Sequence, residues 1–341
     1  MKILYGVQGT GNGHITRARA MAKYLNEYGA QITFLFSGRK PDEYFDMQIF
    51  GRCLYRKGLS IALKNGAINY PKTATSNSPG TFIREIRQLD LDGFDLVITD
   101  FEPIVAWAAR SAGAPCLGIG HQYAFKYDIP KSGVNFAAQA LFNNFAPATY
   151  ALGLHWHHFN TPILPPIISP PALVDTPPEQ ANKILVYLPF ENQRRVIETL
   201  KQFPDYRFLV YTNHYRPGNE RNICVFRQSR AHFQKSLSRC AGVICNAGFE
   251  LGSEALLLGK KLLVKPVKRQ MEQASNVLAL QVLQLADCMD HINHIDLKNW
   301  LDRDNSVRIH YPDVAKAIVE WLHLHPSDNS LPLSQTLWQS T

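Results

Sequence analysis

Residues 241–279 read AGVICNAGFELGSEALLLGKKLLVKPVKRQMEQASNVLA, and this stretch decides the fold. The apolar run Gly242–Cys245 predicts a strand. It leads through Asn246-Ala247-Gly248 into a helix over Leu251–Leu258, which Gly259 ends. Lys261–Val264 predicts a second strand, closed by Pro266, and a second helix follows over Gln270–Leu283. Strands that alternate with helices build a parallel sheet with a helix on each face. Ligands in such sheets bind at the turns that leave strand carboxyl ends, where helix N-termini present free N–H groups.

Upstream, the same alternation begins at Lys183. It predicts strands over Ile184–Leu188, Arg207–Tyr211 and Ile223–Phe226, with helices over Asn192–Gln202 and Arg230–Ser238. The first 120 residues or so carry an independent series. Strands are predicted over Lys2–Val7, Gln31–Phe36, Asp95–Thr99 and Cys116–Ile119, and helices over His14–Tyr28, Pro79–Leu89 and Ile104–Ala112. Between the two series, Asn160–Glu179 holds seven prolines, which remove backbone donors and fix φ. The chain is therefore expected to divide into a front lobe (1–160), a proline-rich linker (161–182), a rear lobe (183–325) and a frayed tail (326–341). Two such lobes, each a doubly wound α/β sheet, face one another across a cleft. Val314–Leu324 has the apolar spacing of a helix packed on a domain.

Composition narrows the function. The 341 residues are 45% hydrophobic and 19% charged, which supports a large core and excludes bulk disorder. The longest apolar runs are far short of the ~20 residues that span a bilayer, and the first residues are too short for a secretory core, so a cytoplasmic location is expected. The six cysteines are widely spaced, with neither a disulfide framework nor zinc-ligand pairs. A net charge of +8 favours anionic partners. Nucleic acid is not expected, because the basic residues form no block; the charge permits peripheral contact with the inner membrane face.

Four strand-end features carry chemistry. Gly9-Thr10-Gly11-Asn12-Gly13-His14 opens the first helix, with Arg17 and Arg19 following. It lacks the third glycine of the dinucleotide fingerprint and the Gly-Lys-Ser/Thr of the triphosphate loop. What remains is a glycine loop that sets an imidazole at a helix N-terminus, where the dipole disfavours its cation. A neutral His14 there is a general base or a helix cap. Asp100 and Glu102 end the next strand and either orient His14 or cap the helix that follows. His121 and Gln122 end another. In the rear lobe, Gly248 opens a helix onto an anion, Glu254 suits ribose hydroxyls, and Gln270, Gln273 and Asn276 suit sugar hydroxyls. His155-Trp156-His157-His158 reads as a surface or domain-edge segment, and Asp90-Leu91-Asp92 as a loop acid pair without a metal role.

Together these motifs resemble the GT-B glycosyltransferases that use nucleotide-diphosphate sugars. The likeness is nearest to the glycosyltransferase 28-like proteins and more distant to the peptidoglycan N-acetylglucosaminyltransferase. It spans about 1–285 and implies two Rossmann-like domains. It also implies that Gly248 and its neighbours hold the diphosphate, that Glu254 holds the ribose, that Gln273 with Asn276 holds the sugar, and that Phe249, Ser253 and Gln270 belong to the same donor site. Gly11, Gly13, Arg17 and His121 would form the acceptor or phosphate loop, and His14, with Asp100 or Glu102, would take the acceptor's proton. The donor implied is a UDP-sugar and the acceptor lipid-linked or a glycan, with no cofactor and no metal. Ala247, Glu250 and Leu251 depart from the pattern; Glu250 sets a negative charge beside the diphosphate position. A sugar-nucleotide 2-epimerase and a non-catalytic nucleotide-sugar binder are the alternatives.

Overall fold

The computed structural model describes residues 1–133, 136–169, 181–324 and 330–341, with side chains 136–138 and 141 left aside. The front lobe runs β1 (Lys2–Gln8), α1 (Asn12–Glu27), β2 (Gln31–Ser37), β3 (Leu54–Arg56), β4 (Leu63–Lys64), β5 (Ala67–Ile68), α2 (Tyr70–Ser76), α3 (Pro79–Arg87), β6 (Leu96–Asp100), α4 (Pro103–Ala112), β7 (Cys116–Gly120), α5 (His121–Ala124), α6 (Phe136–Phe145) and β8 (Tyr150–Gly153). The rear lobe runs β9 (Lys183–Tyr187), α7 (Gln193–Leu200), β10 (Arg207–Tyr211), β11 (Gly218–Glu220), β12 (Ile223–Phe226), α8 (Arg230–Arg239), β13 (Gly242–Asn246), α9 (Phe249–Leu257), β14 (Lys261–Lys265), α10 (Met271–Val282), β15 (Asp287–Cys288) and α11 (His294–Leu301). Two more helices follow, α12 (Val314–Leu324) and α13 (Leu331–Gln339).

The front sheet has the order β3-β2-β1-β6-β7-β8 and is parallel throughout. The rear sheet has the order β11-β12-β10-β9-β13-β14-β15, parallel except for the edge strand β11. Covered on both faces, the central strands are apolar along their length: Ile3, Leu4, Tyr5 and Val7 of β1 are fully buried. In each sheet the strand order reverses beside the first strand, between β1 and β6 in front and between β9 and β13 behind. Val7 pairs with Asp100, so the glycine loop leaving β1 lies next to the acid that ends β6. Cys245 pairs with Tyr187, which sets the Gly248 turn beside the turn that leaves β9.

The proline-rich stretch is not a free spacer over its first half. Ile163, Leu164 and Ile167 are fully buried, and Leu164 forms a parallel bridge with Leu154. Their apolar side chains gain more from the core than the prolines lose in hydrogen bonding. Residues 170–180 of that expected linker lie outside the described residues. The expected frayed tail instead contains α13, with Pro332 in its first turn, where a missing N–H costs nothing. Ser334 Oγ and Trp338 Nε1 each donate to the Ile163 carbonyl at 2.7 Å, and Leu337 is buried. Helix α12 buries Val314, Ala315, Ile318 and Val319 and packs back on α1; Tyr28 Oη donates to Glu320 at 3.1 Å. His155 and Trp156 are likewise not at the surface. They are 1% and 3% exposed, because the rings pack between the lobes, against His121 and Phe249.

Candidate active site

His14 stands in the first turn of α1, whose N-cap is Gly11 with no side-chain bond. Its Nδ1 meets Asp100 Oδ1 at 2.7 Å. Arg17 Nη2 also lies 3.0 Å from Nδ1; with the Nδ1–H donated to the carboxylate, Nε2 carries the lone pair. Among the described residues Nε2 has no protein partner. Arg17, one turn along α1, donates through Nε to Asp100 Oδ2 at 2.7 Å and through Nη2 to Oδ1 at 2.5 Å. Burial alone would push Asp100 upward. The charge of Arg17 and the hydrogen bonds from Arg17 and His14 outweigh it and hold the carboxyl below its ordinary range.

Arg17 also reaches the rear lobe. Its Nη1 pairs with Glu250 in the first turn of α9. The approach is close: a Cβ on Gly13 would lie 2.6 Å from Glu250 Cγ, which explains a glycine there. Burial raises the Glu250 carboxyl against the pull of Arg17, and the nearby Asp100 adds to the rise. The departure noted in the sequence is thus an inter-lobe bridge, and Arg17 is committed to two carboxylates.

Glu102 does not join this group. Its side chain caps α4, accepting from Ile104 N at 3.0 Å and Val105 N at 2.7 Å, and takes a third bond from Ser37 Oγ at 2.6 Å. Burial nevertheless pushes it up to about 7. His121, also buried, presents its ring nitrogens to the Leu154 carbonyl at 2.8 Å and to Asn276 Oδ1 at 2.7 Å. It stacks on Phe249 with centroids 4.0 Å apart.

In the rear lobe Gly248, whose own N–H donates to the Asn246 carbonyl at 2.7 Å, is the N-cap of α9 without a side-chain cap, so among the described residues the N–H groups of the first turn have no side-chain partner. Several residues expected at the donor are occupied by protein. Ser253 Oγ donates to the Phe249 carbonyl at 2.7 Å and accepts from Trp156 Nε1 at 2.8 Å. Gln273 Oε1 accepts from Val267 N at 2.8 Å, and Asn276 Nδ2 donates to the Ala247 carbonyl at 3.0 Å. Glu254 is 8% exposed and takes both its bonds from Gln234 Nε2, at 3.2 and 3.3 Å. Burial lifts it to about 7.

Three amide oxygens stand buried and unpartnered among the described residues: Gln122 Oε1 in α5, Asn246 Oδ1 at the end of β13 and Gln270 Oε1 at the N-cap of α10. Each is an acceptor that an O–H donor would satisfy. Asn246, Glu191 and Lys265 escaped the sequence reading. Lys265 Nζ meets Glu191 Oε1 at 2.8 Å, and Asn246 Nδ2 meets the same oxygen at 3.1 Å. Their signal was position, since Asn246 and Lys265 each end a parallel strand. Glu191 borders a cavity of about 580 Å³ between the lobes, lined also by Thr10, Lys64, Asn192 and Arg194.

The model of the family described as "Glycosyl transferase family 1" matches residues 1–304. The chain belongs to that family. This glycosyltransferase also shares its fold with solved glycosyltransferases. SnogD from Streptomyces nogalater is 15% identical, with a TM-score of 0.56 over 100% of this chain and 96% of that one. The spinosyn rhamnosyltransferase SpnG is 13% identical, with a TM-score of 0.61 over 99% and 100% of the two chains. Arabidopsis thaliana UGT89C1, solved with UDP, is 12% identical, with a TM-score of 0.63 over 99% of each. No curated protein matches the chain. The two Rossmann-like lobes are therefore those of a GT-B glycosyltransferase, and the protein is an enzyme of the transferase class. Among the described residues no helix is long and apolar enough to cross a membrane.

Proposed function

We propose that this glycosyltransferase moves a sugar from a nucleotide-diphosphate donor, read as a UDP-sugar, to an acceptor hydroxyl, inverting the anomeric centre without a metal. The reading rests on one observation: His14 Nδ1 bonded to Asp100 at 2.7 Å at the reversal point of the front sheet. His14 Nε2 takes the acceptor's proton as its oxygen bonds to the anomeric carbon. The bond from that carbon to the diphosphate breaks, and the electron pair leaves on the diphosphate. The N–H groups in the first turn of α9, from Phe249 onward, stabilise that developing charge beside the Gly248 turn. Asp100 stays ionised, holds the ring and stabilises the imidazolium that forms.

The three unpartnered amide oxygens support a polyhydroxylated ligand, because sugar hydroxyls supply the donors that Gln122, Asn246 and Gln270 lack. Glu254 would accept from the ribose hydroxyls when Gln234 gives way. The glycine loop and the Glu272-Gln273 pair favour kinship with the 28-like branch. The net charge of +8 and the anionic character of lipid-linked acceptors favour an acceptor at, or soluble near, a membrane face, reached from the cytoplasm. A panel of UDP-, GDP- and dTDP-sugars read by thermal shift, then by product analysis with acceptors, tests the assignment. Donor binding followed by transfer with inverted product stereochemistry is the expected result. A sugar nucleotide epimerised in the absence of acceptor would establish the rival chemistry instead.

A further inference from the structure

A second cavity, of about 420 Å³, has neither His14 nor Asp100 in its lining, which brings cations from both lobes together. Arg19 and Lys23 of α1 line it from the front; Arg230, the first residue of α8, lines it from behind. Ser169 and Gln48 add polar groups, and among the described residues Asp46 is the only carboxylate in the lining.

Arg19 is buried, 7% exposed. Its Nη2 donates to the Phe45 and Asp46 carbonyls at 2.9 and 3.0 Å. Its Nε, and the Nε of Arg230, are buried and have no partner among the described residues. An orphaned guanidinium N–H inside a protein calls for a water or an ion. Two observations favour an ion. The cations outnumber the carboxylate three to one. Burial, together with the like charge of Arg230, also lowers Arg19 to about 10, the direction an anion between the two would reverse. Helix α8 adds to the field: Ser229 at its N-cap makes no side-chain bond, so among the described residues the first N–H groups, at Arg230 and Ala231, have no capping side chain.

We propose that this cavity is a binding site for a phosphate-type oxyanion, held between Arg19 and Lys23 of the front lobe and Arg230 of the rear. The planar guanidinium fork suits a tetrahedral oxyanion, and the ammonium of Lys23 adds a point charge. The site is separate from the α9 turn, since no residue of Gly248–Glu254 lines it. Because it draws on both lobes, occupancy would hold them together. It does not depend on the transfer reading.

The test uses the intact chain and inorganic phosphate, titrated calorimetrically at an ionic strength held constant with sodium chloride. One phosphate per chain should bind, and Arg230→Gln and Arg19→Gln should each weaken it by about tenfold, the loss of one charge-assisted hydrogen bond. Arg230 is half-buried, so its variant carries the test if Arg19→Gln fails to fold. A parallel titration with UDP distinguishes the source. If Arg230→Gln weakens UDP as it weakens phosphate, the oxyanion is the nucleotide's own; if UDP affinity holds, it is a separate phosphate. Phosphate binding no stronger than chloride, or equally strong in a folded Arg230→Gln variant, overturns the proposal, and either result leaves sugar transfer untouched.

Discussion

The two lobes prepare their halves of the site in opposite ways. In front, charge does the positioning: Arg17 grips Asp100 through two nitrogens, Asp100 fixes His14, and Nε2 is left without a protein partner among the described residues. Behind, packing and hydrogen bonds to other protein groups dominate: Ser253, Gln273 and Asn276 spend polar atoms on Trp156, Val267 and Ala247. The proposed base is ready in this closed arrangement, whereas several groups expected to hold the donor must exchange protein partners for ligand. On the proposed reading a donor would have to loosen contacts between the lobes, and α9 bonds the front lobe through both Glu250 and Ser253.

The largest effect should come from the front. His14→Ala removes the proposed base while leaving the rear lobe intact, so turnover should fall by about 10³-fold with nucleotide affinity unchanged. Steady-state kinetics beside calorimetry of UDP binding separates the two. Full turnover in this variant would sink the base assignment. Next comes Arg17→Gln, which leaves Asp100 and Glu250 buried without their shared cation. It should cost about 3 kcal/mol of stability, read from urea unfolding. A loss as small as that of an exposed ion pair would mean that charge does not organise the front site.

Much of this architecture was legible because parallel sheets write themselves as apolar runs with glycine or polar residues at their carboxyl ends. β1, β6, β13 and β14 fall within a residue or two of where Lys2–Val7, Asp95–Thr99, Gly242–Cys245 and Lys261–Val264 placed them. His14 and Asp100 were readable as a pair because both leave adjacent strands. Contacts that join distant segments were not readable. Glu250 looked like a charge spoiling an anion site, and only the approach of α1 to α9 makes it the partner of Arg17. Trp156 sat in a histidine-rich string that mimicked surface, and Ile163 among prolines that mimicked a spacer. In each case burial is decided by an element more than 90 residues away in sequence, α9 for Trp156 and α13 for Ile163. Local pattern carries no trace of such partners.

The rear lobe's reliance on burial makes its stability depend on pH. Glu254 is raised by burial to about 7 from an ordinary 4.5, so the folded chain keeps a proton that the unfolded chain gives up. That contribution is complete below about pH 4.5 and is lost as pH rises through about 7. Glu102, also raised to about 7, acts in the same sense. Glu254→Gln should therefore flatten the fall in unfolding free energy between pH 5 and 8 by roughly 2 kcal/mol. It should also weaken UDP by about tenfold, through the lost acceptor for ribose hydroxyls. An unchanged pH slope would show that Glu254 is solvated more than its position suggests.

The smallest effect separates packing from hydrogen bonding at the lobe contact itself. Trp156→Phe removes the 2.8 Å bond from Nε1 to Ser253 Oγ, but Ser253 keeps its bond to the Phe249 carbonyl and is not left unpaired. The loss should be about 1 kcal/mol. Ser253→Ala deletes the acceptor and leaves the buried indole N–H without a partner, so it should cost more than Trp156→Phe even though it removes fewer atoms. If packing alone held the lobes here, the order would invert, because the indole is the larger group to lose. Thermal unfolding of the two variants and the double mutant gives the coupling directly.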